Sequence, residues 1–319
     1  MQLSVVNGVF RGMSLDESLK YLADRGVHQL ELGVGGYPGT VHAEAKKLIH
    51  DEAGRKALTD TFKKYGATIS AIAVHGNCVH PDKAIAAQFE EDFEAACVLA
   101  GQIGVKRLVT FSGCPGGDPK SKQPNWVTCA WPPEYQDILE YQWKKVLIPY
   151  WKKAVKFAVA NGVEKIALEM HPGFCVYNPE TLLKLRAAVG PVIGANLDPS
   201  HLIWQGMDII DVIYYLGDAI YYFHAKDTEM NMSNVRKNGV LDTKHYSDVA
   251  NRSWVFRTMG YGTDNWKQIL SALKVIGYDD SISIEHEDGL MSAMEGLDKA
   301  IEYLQGIIIK GDKAEMWWA

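Results

Sequence analysis

Four short runs decide the fold: Lys165-Ile-Ala-Leu-Glu169, Val192-Ile-Gly-Ala-Asn-Leu-Asp198, Ile220-Tyr-Tyr-Phe-His224 and Ser281-Ile-Ser-Ile-Glu285. Each is short, nearly continuous in hydrophobicity and rich in β-branched or aromatic residues, the pattern of a parallel strand buried on both faces. Each ends in a residue able to hold a hard or borderline metal ion. Helical patterning separates them, so the order is strand, helix, strand, with a polar group at every C-terminal strand end. A (β/α)8 barrel builds its site in this way. A Glu, an Asp or a His ending one strand is usually a helix cap, a salt-bridge partner or a turn former. Four of them at the same position on consecutive strands converge on one point at the barrel mouth. Glu169, Asp198, His224 and Glu285 are therefore the expected metal ligands. Three carboxylates and one imidazole suit Mn²⁺, Mg²⁺, Co²⁺ or Zn²⁺ with open positions left for substrate.

Working outward, Leu3–Val6 reads as strand one, followed by a helix capped by Ser14 with Glu17 three residues on. Val27–Leu32 is strand two and carries Glu31 near its end. Gly33, Gly35, Gly36 and Gly39 follow, without dinucleotide-fingerprint spacing, as a tight turn where substrate can approach the backbone. A helix covers Asp51–Lys64. Strand three is Ala67–Val74, ending in His75, and helix three spans Asp82–Gln102. Strand four is Val105–Phe111. Residues 113–133 form an unusually long βα loop on the active face, where Trp126 and Trp131 either wall a sugar site or anchor the loop. Glu134–Asn161 is helical, with a kink or a division into two helices expected at Pro149. Asp227–Gly262 is a second long, polar loop, expected to form a wall or lid. A helix from Asp264 to Ile276 precedes strand eight, and Met291–Ile309 closes the chain. The expectation is one (β/α)8 TIM barrel domain over residues 1–319, with long loops after strands four and seven. The apolar end, Met316-Trp-Trp-Ala, is expected to dock on the barrel or on a second subunit.

Composition narrows the function classes. The chain has 319 residues, 47% hydrophobic and 23% charged, with a formal net charge of −6. An acidic balance argues against a nucleic-acid partner. The five cysteines include no Cys-x-x-Cys pair and read as free thiols in a reducing compartment. No basic and apolar leader pattern and no run of about 20 apolar residues occurs, so a cytoplasmic protein with no membrane association is expected.

Strands five and eight lie three steps apart around a closed barrel, so Glu169 and Glu285 face each other across the metal. A sugar chelated through a carbonyl and a neighbouring hydroxyl would lie between them. One carboxylate removes a proton from the carbon beside the carbonyl, the other delivers one, and the metal stabilises the enediolate. This is the chemistry of isomerisation, epimerisation or elimination. His171, on the same side as Glu169, is a further acid–base candidate. His201, Glu31, His75 and Arg257 are candidate substrate ligands, with Lys226 and Asp227 adding donors and acceptors to the same rim.

Ala167-Leu-Glu-Met-His-Pro172, Asn196-Leu-Asp-Pro-Ser-His201, Phe223-His-Ala-Lys-Asp-Thr228 and Ser283-Ile-Glu-His-Glu-Asp288 together resemble the xylose isomerase-like sugar phosphate isomerase/epimerase family over nearly the whole chain. The resemblance implies a TIM barrel, Glu169, Asp198, His224 and Glu285 as ligands of one divalent ion (manganese is common there), Glu169 and Glu285 as the acid–base pair, and a homo-oligomer. No phosphate-binding turn stands out, so a free or glycosidically linked sugar is as well favoured as a sugar phosphate. The Glu-Met-His-Pro segment and Trp254-Val-Phe-Arg-Thr258 also resemble the catalytic subunit of C-glycoside deglycosidases. These eliminate from 3-keto-glycosides with a His beside the first metal Glu, a role His171 would fill, and need a small partner subunit. An endonuclease IV-type enzyme would need another His after strand four and an Asp-x-His in the strand-seven loop. The chain offers Phe111-Ser-Gly and Asp242-Thr-Lys-His245 instead. A non-catalytic carbohydrate-binding barrel would be expected to lack one of the two glutamates.

Overall fold

The computed structural model describes residues 1–263 and 265–318. Among them ten strands run in chain order: β1 (Gln2–Val5), β2 (Gln29–Gly33), β3 (Thr68–Ala73), β4 (Arg107–Thr110), β5 (Lys165–Glu169), β6 (Ile193–Leu197), β7 (Ile220–Ala225), β8 (Asp227–Met230), β9 (Trp254–Arg257) and β10 (Ser281–Ile284). The helices are α1 (Leu15–Ala23), α2 (Ala45–Leu48), α3 (Glu52–Lys64), α4 (Lys83–Ile103), α5 (Glu134–Glu140), α6 (Ile148–Ala160), α7 (Pro179–Val189), α8 (Pro199–Ile203), α9 (Ile209–Leu216), α10 (Met232–Asn238), α11 (Trp266–Val275) and α12 (Ala293–Ile307).

Eight of the strands pair in parallel in the order β1-β10-β7-β6-β5-β4-β3-β2. A bridge between Val6 and Glu31 joins the two ends, so the sheet closes into a barrel. Strand β5 is exposed only at Lys165, and β6 and β10 are buried throughout. This explains why these runs read as continuous apolar stretches: helices cover the outside and side chains fill the inside. Ala71, Val109, Ala167 and Tyr222 fill one interior layer, where the Tyr222 hydroxyl lies 2.6 Å from Ser70 Oγ. The cap residues stand where the sequence puts them. Ser14 and Glu17 form a capping box, and Asp51 and Asp82 cap α3 and α4.

Four local expectations are changed or refined. The expected break at Pro149 is a π-helical stretch, Tyr141–Leu147, joining α5 to α6. Pro149 follows it directly in α6, and the wider π turn, in which Ile148 N–H donates to the Trp143 carbonyl, accommodates the missing proline N–H. The glycine turn after β2 is close-packed at Gly36, at φ +62°, where a Cβ would lie 2.1 Å from the His75 carbonyl oxygen, while its Tyr37 and Pro38 line the central cavity. The polar connection after β7 is not an irregular loop. It opens with β8, passes through α10 and returns along β9, which pairs antiparallel with β8. Asp227 pins this excursion, its carboxylate accepting from the backbone N–H groups of Gly260 and Gly262. Finally, Met316, Trp317 and Trp318 do not dock on the barrel and are 69%, 87% and 65% exposed. The helix expected from Asp264 begins at Trp266, and Asp264 itself lies outside the described residues. None of the described helices is long and apolar enough to cross a membrane.

Candidate metal centre and active site

Glu169 is the last residue of β5, Asp198 follows β6, His224 is the penultimate residue of β7 and Glu285 follows β10. One donor atom from each lies within 4.8 Å of the other three. The set named from the sequence thus converges at the C-terminal mouth of the barrel. Asp198 divides its two oxygens between tasks. Oδ1 accepts from Ser200 N at 2.9 Å and caps α8, while Oδ2 is buried without a hydrogen-bond partner. His224 is divided likewise. Nε2 lies 2.9 Å from Glu31 Oε2, while the buried Nδ1 faces Glu285 Oε2 at 3.3 Å and Glu169 Oε2 at 3.6 Å. An imidazole that donates one N–H to a carboxylate and turns its other nitrogen into a cluster of carboxylates is arranged as a metal ligand. The donor set and the two unpartnered buried atoms fit a divalent cation.

Lys226 supplies the positive charge within the chain. Its ammonium, on a side chain 2% exposed, lies 2.7 Å from Glu285, 2.9 Å from Glu287 and 3.1 Å from Asp198 Oδ2, the last an ion pair without hydrogen-bond geometry. Burial by itself would lower its pKa, but Asp198, Glu285 and Glu287 raise it well above the ordinary value. The same balance governs the acids. Burial would raise Glu169, yet hydrogen bonds with His201 and His75 hold it well below the usual carboxylate range. Burial would raise Glu285, and Lys226 and His224 overcome it. For His224, burial is outweighed by Glu31 and Glu285, and its pKa rises well above the ordinary histidine value. Both candidate acid–base glutamates are therefore ionised at neutral pH, as a proton acceptor must be.

The residues expected to touch substrate separate into three groups. His75 and His201 line the central cavity of about 490 Å³, but each directs Nε2 at Glu169, to Oε2 at 3.0 Å and Oε1 at 2.9 Å. They orient this carboxylate from both sides. Glu31 does not face substrate. It is fully buried beneath the site and takes the His224 N–H and the Ser283 hydroxyl. Arg257 lies outside the cavity, pairing with Asp288 at 3.1 Å and with Glu229, because β9 pairs with β8 and turns the guanidinium toward those two acids. His171 does line the cavity. Its Nδ1–H donates to the Pro172 carbonyl at 2.6 Å, which leaves Nε2 as an acceptor. Burial, with His201 beside it, lowers its pKa to about 3, so it is neutral at neutral pH. Phe111 forms an aromatic wall, its ring edge-on to His75 and His171 and stacked on Phe174. Neither Phe111 nor the central position of Lys226 was evident from sequence. The only signal was a lysine two residues beyond a ligand at a buried strand end. Of the loop tryptophans, Trp126 packs edge-on against Tyr177, while Trp131 is 73% exposed.

Fold and site together define a parallel α/β barrel with a candidate divalent-metal centre at its C-terminal mouth. More particularly, the chain belongs to the xylose isomerase-like TIM barrel family, which residues 19–307 match. The YfiH protein of Bacillus subtilis strain 168, described as uncharacterized, is 40% identical over 312 residues, 97% of this chain and 99% of that protein. Among solved structures, the IolI protein with a zinc atom superposes with a TM-score of 0.67 at 20% identity, over 97% of this chain and 98% of that one. The 3-keto-D-glucoside 4-epimerase YcjR of E. coli gives 0.66 at 11% identity, over 96% and 99%. At such identities the likeness to the solved structures concerns the fold.

Proposed function

We propose that this chain is a divalent-metal-dependent sugar isomerase or epimerase that moves a proton on the carbon beside a carbonyl of a sugar or keto-sugar. The observation that supports it is the placement of two ionised glutamates, Glu169 and Glu285, at the ends of β5 and β10, both facing His224 Nδ1 within 3.6 Å. Glu169, Asp198, His224 and Glu285 would hold the ion, with manganese first among manganese, magnesium, cobalt and zinc, and it would stabilise negative charge on substrate oxygen by several kcal/mol. Glu169, steadied on both oxygens by His75 and His201, is the better positioned to take a proton. Glu285 lies 2.7 Å from the Lys226 ammonium and would pass a proton drawn from it to the opposite face of the substrate. A pair of positioned acid–base groups is worth about 10²–10⁴-fold. The keto-sugar named for the E. coli 4-epimerase is compatible with this chemistry on the same fold.

The test is proton NMR in D₂O of the Mg²⁺-loaded protein with ketoses and 3-keto-glucosides. Deuterium is expected beside the carbonyl with a changed configuration or carbonyl position. Glu169→Gln and Glu285→Gln should each reduce the exchange by about 10²–10⁴-fold with the fold intact. Full exchange in either variant refutes the two-carboxylate mechanism.

His171 favours a second reading, elimination from a 3-keto-glycoside, which would require a small partner subunit. Its neutral imidazole is oriented by Pro172 with Nε2 free to accept a proton. Release of an aglycone in the same NMR experiment, lost selectively in His171→Ala, would favour it.

A further inference from the structure

A second cavity, of about 370 Å³, adjoins the central one, and the two share His171 and His201 as a common wall. Its other walls come from the two long connections and from the residue after α8. Trp204 and Trp254 stack face to face with ring centroids 4.7 Å apart and an interplanar angle of 3°. Trp126 lies on the opposite connection, and Tyr246 at the rim stacks on Phe256. The carboxylate in this wall is already engaged: Asp242 accepts from the backbone N–H groups of Lys244 and Ser253. The indole rings of Trp126 and Trp204 complete the wall, Trp204 being only 5% exposed. At the mouth, Leu241 and Tyr246 leave 69% and 55% of their surface in water.

An apolar, concave, aromatic-lined wall beside a polar site is the form of a small-molecule subsite. We propose that this cavity takes a planar aromatic group of one or two rings attached to the sugar, packed against its aromatic wall. A single benzene ring needs a cavity of about 150 Å³, so the volume suffices. A second sugar ring suits it less well. Its hydroxyls would lose water against a largely apolar lining whose one carboxylate is already engaged. The inference rests on the reading of the central cavity as a sugar site, and it makes the substrate an aromatic glycoside.

The test is calorimetric titration of the Mg²⁺-loaded protein with methyl and phenyl glucosides of both anomers and with a glucose disaccharide. None carries a ketone, so binding is read without turnover. The phenyl glucoside of one anomer is expected to bind about tenfold tighter than the methyl glucoside. Thr243→Trp, at an exposed rim position, should fill the cavity and bring the phenyl-to-methyl ratio to within about twofold of unity. Thr128→Trp blocks the other side as an independent variant. The proposal is overturned by equal affinities in the wild type, by a ratio unchanged in both variants, by tighter binding of the disaccharide, or by no binding of the aryl glucosides at about 10 mM. Failure of deuterium exchange with keto-sugars would refute the proposed function while leaving the aryl preference standing. Loss of the preference with exchange intact would refute the subsite alone.

Discussion

Glu31 gives the sharpest test of how the barrel interior supports the site. It is buried inside the barrel, and its Oε2 lies 2.9 Å from His224 Nε2 and 2.8 Å from Ser283 Oγ. Glu31→Gln keeps the shape and removes the charge. A charge-assisted hydrogen bond contributes about 1.5–3 kcal/mol and a neutral one about 0.5–1.5 kcal/mol. The substitution therefore withdraws about 1–1.5 kcal/mol of support for the imidazole, or about tenfold in affinity. If the new amide turns its NH₂ toward Nε2, the ring is also misdirected, and the loss approaches the upper end of the 10–100-fold range typical of such supporting groups. The assay is calorimetric titration of the ion-free chain with Mn²⁺, with circular dichroism confirming the fold. Arg257→Ala serves as control, since Arg257 lies outside the cavity, and it should leave Mn²⁺ affinity unaltered. A Glu31→Gln dissociation constant within about twofold of the wild type would refute the claim that Glu31 acts through His224.

Three further outcomes are expected. Because Glu31 and Glu285 raise His224 well above the ordinary histidine value despite its burial, the ion-free chain holds a proton there at neutral pH. An incoming ion must displace it, so Mn²⁺ affinity should rise with pH, and titrations in buffers of different ionisation enthalpy should reveal about one proton released; heats independent of buffer would contradict this. At the opposite end of the barrel, Asp280 makes a two-pronged pair with Arg107 at 2.8 and 3.0 Å, which outweighs burial and lowers its pKa. A depressed carboxylate stabilises the fold above its unfolded-state pKa and loses that contribution as pH falls through its folded value. Asp280→Asn should therefore cost about 1–3 kcal/mol in urea unfolding at pH 7, with the deficit shrinking below about pH 4; an equal deficit at both pH values would refute the ion-pair account. Removal of divalent ions by a chelator should abolish deuterium exchange in the wild type, and restoration by Mg²⁺ or Mn²⁺ should be far weaker in Asp198→Asn, whose Oδ2 makes no hydrogen bond.

How far the residues could be read in advance follows from where each one sits. Glu169, Asp198, His224 and Glu285 were legible because each closes a short buried run. In a parallel barrel all strand ends face the same mouth, so a local pattern already carries a three-dimensional meaning. The helix caps were legible for the same reason, being set within three residues of chain. Glu31 was misread because the sequence does not say how deep in the barrel a residue lies: two positions before the end of β2, it points into the interior one layer below the mouth. Arg257 was misread because its direction depends on the antiparallel pairing of β9 with β8, a contact made across a long polar segment with no strong periodicity. The roles of His75 and His201 depend on which of Glu169's oxygens each one reaches, and those of Lys226 on three acids carried by two separate connections, after β6 and after β10.

The amino-acid sequence by itself determined the barrel and the four convergent donors, because hydrophobic periodicity and strand-end position are local properties of the chain. Only the tertiary structure decided which histidines steady Glu169, which carboxylate holds His224, where Lys226 places its charge, and that a tryptophan-walled cavity adjoins the centre. Those depend on pairing register and on side chains meeting from distant segments, and no local pattern encodes them.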